Sequence, residues 1–247
     1  QFKKDLLAGK RLIGCWSSLA SHISMEVLGV AGFDWVLLDG EHSPNDVITF
    51  VPQLMALKDS VSAPFVRPSS NNDIEIKRLL DAGFYNFLIP FVQSADEAKR
   101  AVAATRYPPE GMRGLTGSSR ASSYGAGFKD YFRDANGKLL CIAQIETAEA
   151  VENVDSIAAV PGIDVLFIGH SDLSLNLGCY NDFENGKMHS AEKVLLEACA
   201  RHGKIPGMLM KSGMRADDCI QKGFRFLALG TDHSAMKQAF LSMLQNS

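Results

Sequence analysis

Five short stretches bring together residue types that can do chemistry: Asp39-Gly40-Glu41-His42, Arg67, Gln144-Ile145-Glu146, Gly169-His170-Ser171-Asp172 and Gly230-Thr231-Asp232. Two carboxylates brought close together, as Glu146 and Asp172 would be at the ends of neighbouring strands, repel unless one is protonated or a cation lies between them. With oxygen ligands and no adjacent cysteine, that cation would be Mg²⁺ or Mn²⁺ rather than zinc, with open positions for water and substrate. Each acid could equally cap the helix that follows it, and position alone does not choose. His42, beside two acids, has a side chain suited to a general base near neutral pH, or it is a loop histidine tied to Asp39 or Glu41. Arg67 can hold a carboxylate or stabilise an enolate oxygen, or simply end its strand in solvent.

These residues can meet only if the elements before them end at one place. Short apolar runs alternate with amphipathic stretches along the chain. Strands are expected at 11–16, 34–38, 63–67, 85–89, 139–145, 164–168, 204–208 and 225–229. Helices are expected at 21–31, 45–57 with Asn45 as N-cap, 72–82, 94–105, from 146 to about 159, and at 189–202, 213–222 and 232–244. A continuous apolar strand such as 34–38 is what a parallel sheet buried on both faces requires. Eight strand–helix units predict a single (β/α)₈ barrel, the TIM barrel, spanning 1–247, with reactive groups at the C-terminal ends of its strands. An open doubly wound sheet is the alternative, but no GxGxxG follows the first strand. Two long segments, 107–127 and 169–188, are expected to be functional loops on the catalytic face. His22, His170 and His233 are expected on that face, and His189 and His202 on ordinary helix surfaces. The glycines at 207 and 230 are weak candidates for a phosphate turn.

Composition narrows the function class. The 247 residues are 46% hydrophobic and 21% charged, which is globular rather than disordered. A formal charge of −3 without basic runs disfavours nucleic acid and membrane surfaces. Five widely spaced cysteines without a CxxC pair argue against a disulfide framework or a zinc site and predict a cytoplasmic setting. No apolar run is long enough to span a bilayer and no signal-peptide pattern is visible.

In order along the chain stand LIGCWSSLASHISMEVLGVAGFDWVLLDGEHSPND, VRPSS, IKRLLDAGFYNFLIPFV, RYPPEGMRG, QIET and GHSDLSLNLG. As a set they resemble the HpcH/HpaI aldolase family over nearly the whole chain. The resemblance implies a class II, divalent-metal-dependent pyruvate aldolase using Mg²⁺ or Mn²⁺, with Co²⁺ as a further candidate. It implies Glu146 and Asp172 as metal ligands and Gln144, Ser171 and Asp172 as contacts to the 2-keto acid. His42 would be the general base, and Arg67 would stabilise developing charge. Asp81 matches a position that raises the basicity of that base. The barrel reading puts Asp81 on the far face, so a neighbouring subunit would have to supply it, in keeping with a homohexamer. Three positions depart from the family pattern: His170 stands where Pro is usual, Pro-Ser-Ser follows Arg67, and Ser119 replaces a His.

The implied reaction is cleavage of a 4-hydroxy-2-keto acid to pyruvate, or a related 2-keto acid, and an aldehyde. No lysine stands among the five stretches, so a Schiff base is not expected. The same enolate site could decarboxylate oxaloacetate. A thioester-cleaving relative is disfavoured by the lack of a basic patch for CoA phosphates. A non-catalytic 2-keto-acid-binding protein is disfavoured because a binder has no use for a base.

Overall fold

In a parallel strand buried on both faces, successive side chains point alternately inward and outward. The computed structural model, which describes residues 2–246, follows this rule. In chain order the elements are α1 (Phe2–Leu7), β1 (Leu12–Ser17), α2 (His22–Ala31), β2 (Trp35–Asp39), α3 (Val47–Ala56), β3 (Ala63–Arg67), α4 (Asp73–Ala82), β4 (Asn86–Ile89), α5 (Ala95–Thr105), α6 (Phe128–Lys138), β5 (Leu140–Ile145), α7 (Ala148–Glu152), α8 (Val154–Ala158), β6 (Val165–Ile168), α9 (His170–Asn176), α10 (Gly186–His202), β7 (Ile205–Leu209), α11 (Ala216–Lys222), β8 (Phe226–Thr231) and α12 (Asp232–Gln245). The strands close in sequence order, β1 pairing with both β2 and β8, and every pairing is parallel. The (β/α)₈ barrel expected from the sequence is what forms, and the open sheet is excluded.

Inward residues Trp35, Leu37, Phe65, Ile142, Val165, Phe167 and Phe226 fill the barrel, and Leu6 of α1 joins them from below. Outward residues such as Val36, Leu38, Val66 and Ala143 join the layer under the helices. The interior turns on one aromatic stack: the Trp35 and Phe226 rings lie 4.0 Å apart and 10° from parallel. A Cβ at Gly14 would stand 2.1 Å from the Trp35 ring, so glycine there leaves the space the indole occupies.

Several boundaries differ from the sequence reading, each for a local reason. The N-cap of α3 is Asp46, whose side chain accepts from Ile48 and Thr49 N–H in a capping box. Asn45 instead donates to the Asp39 carbonyl at 2.8 Å and accepts from Gln53, bracing the loop after β2. Helices α6 and α9 lie in or beside segments read as loop, because α6 carries Asn136 and Gly137 and α9 is short, with no capping side chain. Segment 107–127 follows α5 and precedes β5, so it sits at the opposite end from the strand C-termini rather than on the catalytic face. There Arg120 donates to the carbonyl of Ala82 at the end of α4.

Beyond Asp232 every described residue of α12 is exposed, including Phe240 at 56% and Leu244 at 71%. A groove of about 720 Å³ lies beside its start, lined in part by Phe33, Met210, Met214 and Leu229. The helix therefore stands off the barrel instead of sealing the seam between β8 and β1.

Gly14→Ala forces a methyl into the Trp35 ring and should lower stability by about 1–3 kcal/mol, the usual cost of overpacking a filled core. Urea denaturation measures this; an unchanged midpoint would contradict the packing described.

Candidate active site

The inward parity that places Trp35 and Leu37 in the core brings Asp39 to the barrel mouth, and Phe65 does the same for Arg67 on β3, whose register pairs Asp39 with Arg67. The two form a bidentate pair, Arg67 Nε donating to Asp39 Oδ1 at 2.8 Å and Nη2 to Oδ2 at 2.7 Å. The guanidinium also lies 4.7 Å from the Trp16 ring centroid, and the Trp16 indole N–H donates to Asp39 Oδ2 at 3.2 Å. Burial alone would raise the Asp39 carboxyl, but the hydrogen bonds and charge of Arg67 outweigh it and hold Asp39 below the usual carboxylate range. Arg67 Nη1 faces Glu41 Oε2 at 2.7 Å. Two of its five N–H donors are thus hydrogen-bonded to Asp39, and the Glu41 contact is an ion pair that leaves three donors for a ligand.

Glu146 is 1% exposed. Its Oε1 accepts from Phe91 N–H at 2.8 Å, and its Oε2 accepts from Gln144 Nε2 at 2.5 Å. Phe91 presents its N–H from a left-handed backbone, φ +49°, a strained turn of the kind that collects at functional sites. Burial, reinforced by the charges of Glu41 and Asp172, pushes Glu146 up to about 7 against the Phe91 hydrogen bond and Arg67. Glu41 is also raised, first by burial and further by Asp39 and Asp172, despite the attraction of Arg67 and His42. Neither acid of the proposed pair caps a helix in the way its position allowed. The α7 cap is Thr147, whose side chain accepts from Ala150 N–H, and Asp172 lies inside the first turn of α9.

A cavity of about 190 Å³ connects these groups, lined by His42, Arg67, Gln144, Ser171, Asp172 and Lys211 among others. His42 is open to it, with a side chain 61% exposed and Nε2 3.8 Å from Glu41 Oε2. Asp81 is absent from it. That residue pairs with buried Arg113 at 2.8 Å beside Tyr131, at the end of α4 away from the mouth. His22 and His233 are exposed near the mouth, while His189 and His202 pair with Glu184 and Asp155 on helix surfaces. His170 is buried, and its Nε2 meets Glu192 Oε1 of α10 at 2.9 Å, braced by Lys222 at 3.2 Å. Asp232 ties the end of β8 to that of β1 by accepting from Ser17 Oγ and Ser18 N–H. Of the two glycines at 207 and 230, a Cβ at Gly207 would meet Phe167 at 2.9 Å, so that glycine serves packing.

Sequence reading passed over two groups. Glu41 continues the inward parity of residues 35, 37 and 39, a signal that was available. Lys211 lies two residues beyond β7, and its Nζ donates to Ser171 Oγ at 2.6 Å. The absence of a lysine from the mouth, expected from the strand ends, is therefore corrected.

The donor set fits a divalent cation. Glu146 and Asp172 offer oxygen ligands, Glu41 stands near enough to raise Glu146, and Gln144 Oε1 is buried without a hydrogen-bond partner. A Cβ at Gly169 would lie 2.6 Å from Glu146 Oε2, so glycine keeps the carboxylate's surroundings open. Among the described residues no three His, Cys, Asp or Glu side chains cluster as a ready-made metal cage. Two protein carboxylates completed by water and substrate is the arrangement Mg²⁺ commonly takes.

Residues 12–239 match the family model described as HpcH/HpaI aldolase/citrate lyase. The chain belongs to that family. As a member it is an enzyme of the lyase kind. It is 48% identical over 239 residues to a 5-keto-4-deoxy-D-glucarate aldolase of Shigella boydii, covering 97% of this chain and 93% of that protein. It is 49% identical to one from Enterobacter sp. strain 638 with the same coverage. The fold matches an HpcH/HpaI aldolase/citrate lyase family protein from Burkholderia cenocepacia J2315 at TM-score 0.96 and 34% identity, covering 99% and 97% of the two chains. It also matches the citrate synthase SbnG at TM-score 0.89 and 26% identity, covering 100% and 97%.

Replacing Asp39 with Asn leaves Arg67 without its bidentate partner and should cost about 3 kcal/mol at neutral pH. The folded-state carboxyl is depressed, so its contribution is present above the unfolded value near 3.9 and is lost as pH falls through the folded value. Denaturation midpoints of the two proteins should therefore converge below about pH 4. A gap that ignores pH would show that the Asp39 charge is not what holds Arg67.

Proposed function

We propose that the chain is a class II aldolase that reversibly cleaves a 4-hydroxy-2-keto acid to pyruvate, or a related 2-keto acid, and an aldehyde. Buried Glu146, raised first by that burial and further by Glu41 and Asp172, carries this reading. Glu146 and Asp172 would hold Mg²⁺ or Mn²⁺, with Co²⁺ a further candidate, and the ion would act as a Lewis acid on the substrate's carbonyl oxygen. Gln144 and Ser171 would orient the keto acid. His42, open to the cavity, would take the proton from the C4 hydroxyl. As the C3–C4 bond breaks, its electron pair passes into an enolate, for which the Arg67 donors not bonded to Asp39 would be available. A proton returned to C3 gives the 2-keto acid. The names of the 48–49% identical relatives support a keto-deoxy sugar diacid as substrate.

The cavity-facing amine of Lys211 gives one rival, a Schiff-base mechanism. Proton exchange at the pyruvate methyl group in D₂O, followed by NMR, separates the two. Exchange should require Mg²⁺ or Mn²⁺, stop with EDTA and be lost in Glu146→Gln. Borohydride added with pyruvate should leave the protein mass unchanged. Exchange in metal-free protein, with pyruvate trapped on Lys211, would replace this mechanism with the rival.

The same reading holds that one barrel unit spanning 1–247 carries these groups and that the assembly is a homo-oligomer, a hexamer by resemblance. The unsealed groove and the apolar residues of α12 support exchange of that helix with a second copy. Asp81 and segment 107–127, on the face away from the mouth, would then be available to a neighbour's His42. Five buried free thiols support a cytoplasmic setting, and no described helix is long and apolar enough to cross a membrane. Net charge supports a small-molecule substrate rather than nucleic acid or a membrane surface. Sedimentation should find a mass well above one chain, reduced by Met236→Asp combined with Phe240→Asp. A wild-type monomer at micromolar concentration would refute the exchange.

A further inference from the structure

The keto-acid end of a substrate is provided for by Arg67 on β3 and by the carboxylates after β5 and β6. In a closed ring of eight strands, β7 lies diametrically across from β3. Lys211 follows β7, so the mouth carries two cations on opposite walls. They are not equivalent. Arg67 has its charge paired with Asp39 and Glu41. Lys211 has a neutral hydroxyl, Ser171 Oγ, at 2.6 Å and the face of Phe183 at 5.7 Å, and no carboxylate within ion-pair distance among the described residues. Only the longer-range charge of Asp172 attracts it, while burial works against its charged form. A cation at Glu146 and Asp172 would cancel that attraction and leave a half-buried ammonium without a counter-ion, an arrangement that costs free energy until an anion arrives.

We propose that Lys211 is a specificity-determining residue that binds a carboxylate at the distal, aldehyde-forming end of the substrate. The inference rests on the 2-keto-acid reading above and deepens it, because it selects diacids over keto acids with a neutral tail. Ser171 positions the ammonium, and the Phe183 ring holds the lysine over the cavity. Thr231 and Ser18 line the wall beside Lys211 and offer hydroxyls for the chain between the two ends.

A matched pair of uncleavable six-carbon ligands tests this. 2-Ketoadipate and 2-ketohexanoate share the keto-acid end, lack a C4 hydroxyl and differ only in the distal carboxylate. Calorimetric titration of the Mg²⁺-loaded oligomer should show at least tenfold tighter binding of 2-ketoadipate. In Lys211→Met that preference should shrink to twofold or less while 2-ketohexanoate still binds, which also shows that the variant is folded. Lys211→Arg should keep part of the preference. Equal weakening of both ligands would place Lys211 at the shared keto-acid end and overturn the proposal, as would a preference that survives in Lys211→Met. If neither ligand binds wild-type protein, the inference falls. Pyruvate proton exchange then shows separately whether the aldolase reading falls with it, since exchange needs no distal group.

Discussion

Burying Glu146 beside Asp172 and Glu41 is the constraint around which the mouth of this barrel is arranged. Like charges in a low-dielectric site push one another toward the neutral form, and here the surrounding backbone and side chains resist that push only in part. Phe91 N–H and Gln144 Nε2 engage the two oxygens of Glu146, while Arg67 gives its hydrogen bonds to Asp39 and only an ion pair to Glu41. The remaining imbalance is what a divalent cation would remove. A structural role for such a cluster is hard to sustain, because a packed apolar mouth would be easier to stabilise. The strained Phe91 turn and the glycine at 169 point the same way, since one holds a Glu146 oxygen and the other leaves room for its carboxylate.

Much of this was legible from the chain because two periodicities coincide. Period-two alternation fills the barrel with Trp35, Leu37 and Phe65 and, continued past the last core layer, brings Asp39 and Arg67 to the mouth. Gln144 follows Ile142 by the same count. The rule reads strand ends well and connections poorly. Lys211 lies two residues beyond β7, and only the path of the chain after the strand shows that its amine turns back over the cavity. Helix α9 hid in a Ser- and Asn-rich segment, since seven residues without a capping side chain leave little pattern to read. The misplacement of 107–127 has a simpler cause: the helix read at 94–105 already turns the chain back, so a segment after it lies at the end opposite the strand C-termini, and that step was not taken.

The stance of α12 was also beyond sequence reasoning. An amphipathic helix looks alike whether its apolar face meets its own barrel or another chain. In the structure the groove beside the β8–β1 seam stays open while Met236, Phe240 and Leu244 are exposed. Asp232 marks the point of departure. Its carboxylate is held by Ser17, Ser18 and Leu19, so the strand ends are stitched together independently of where the helix goes. Closure of the barrel and placement of its last helix are thus uncoupled, which is the mechanical requirement for lending that helix to a neighbour.

A barrel shared with a citrate synthase cannot by itself name a reaction; the site must do so, and its two halves differ in how firmly they are specified. The half built from β2, β3 and β5 is locked by short, mutually dependent contacts: moving Arg67 disturbs Asp39, Glu41 and Trp16 together. The half after β6 and β7 is held from outside the barrel. His170 is braced by Glu192 and Lys222, and Lys211 leans on Ser171 and Phe183, contacts that do not involve Asp39, Glu41 or Glu146. In the proposed mechanism the enolate is handled mainly by the rigid half, with Asp172 supplied from the other, and an error in position there would be costly. Lys211 would select the second reactant from the adjustable half, a division by which one fold can keep its chemistry while its substrates vary.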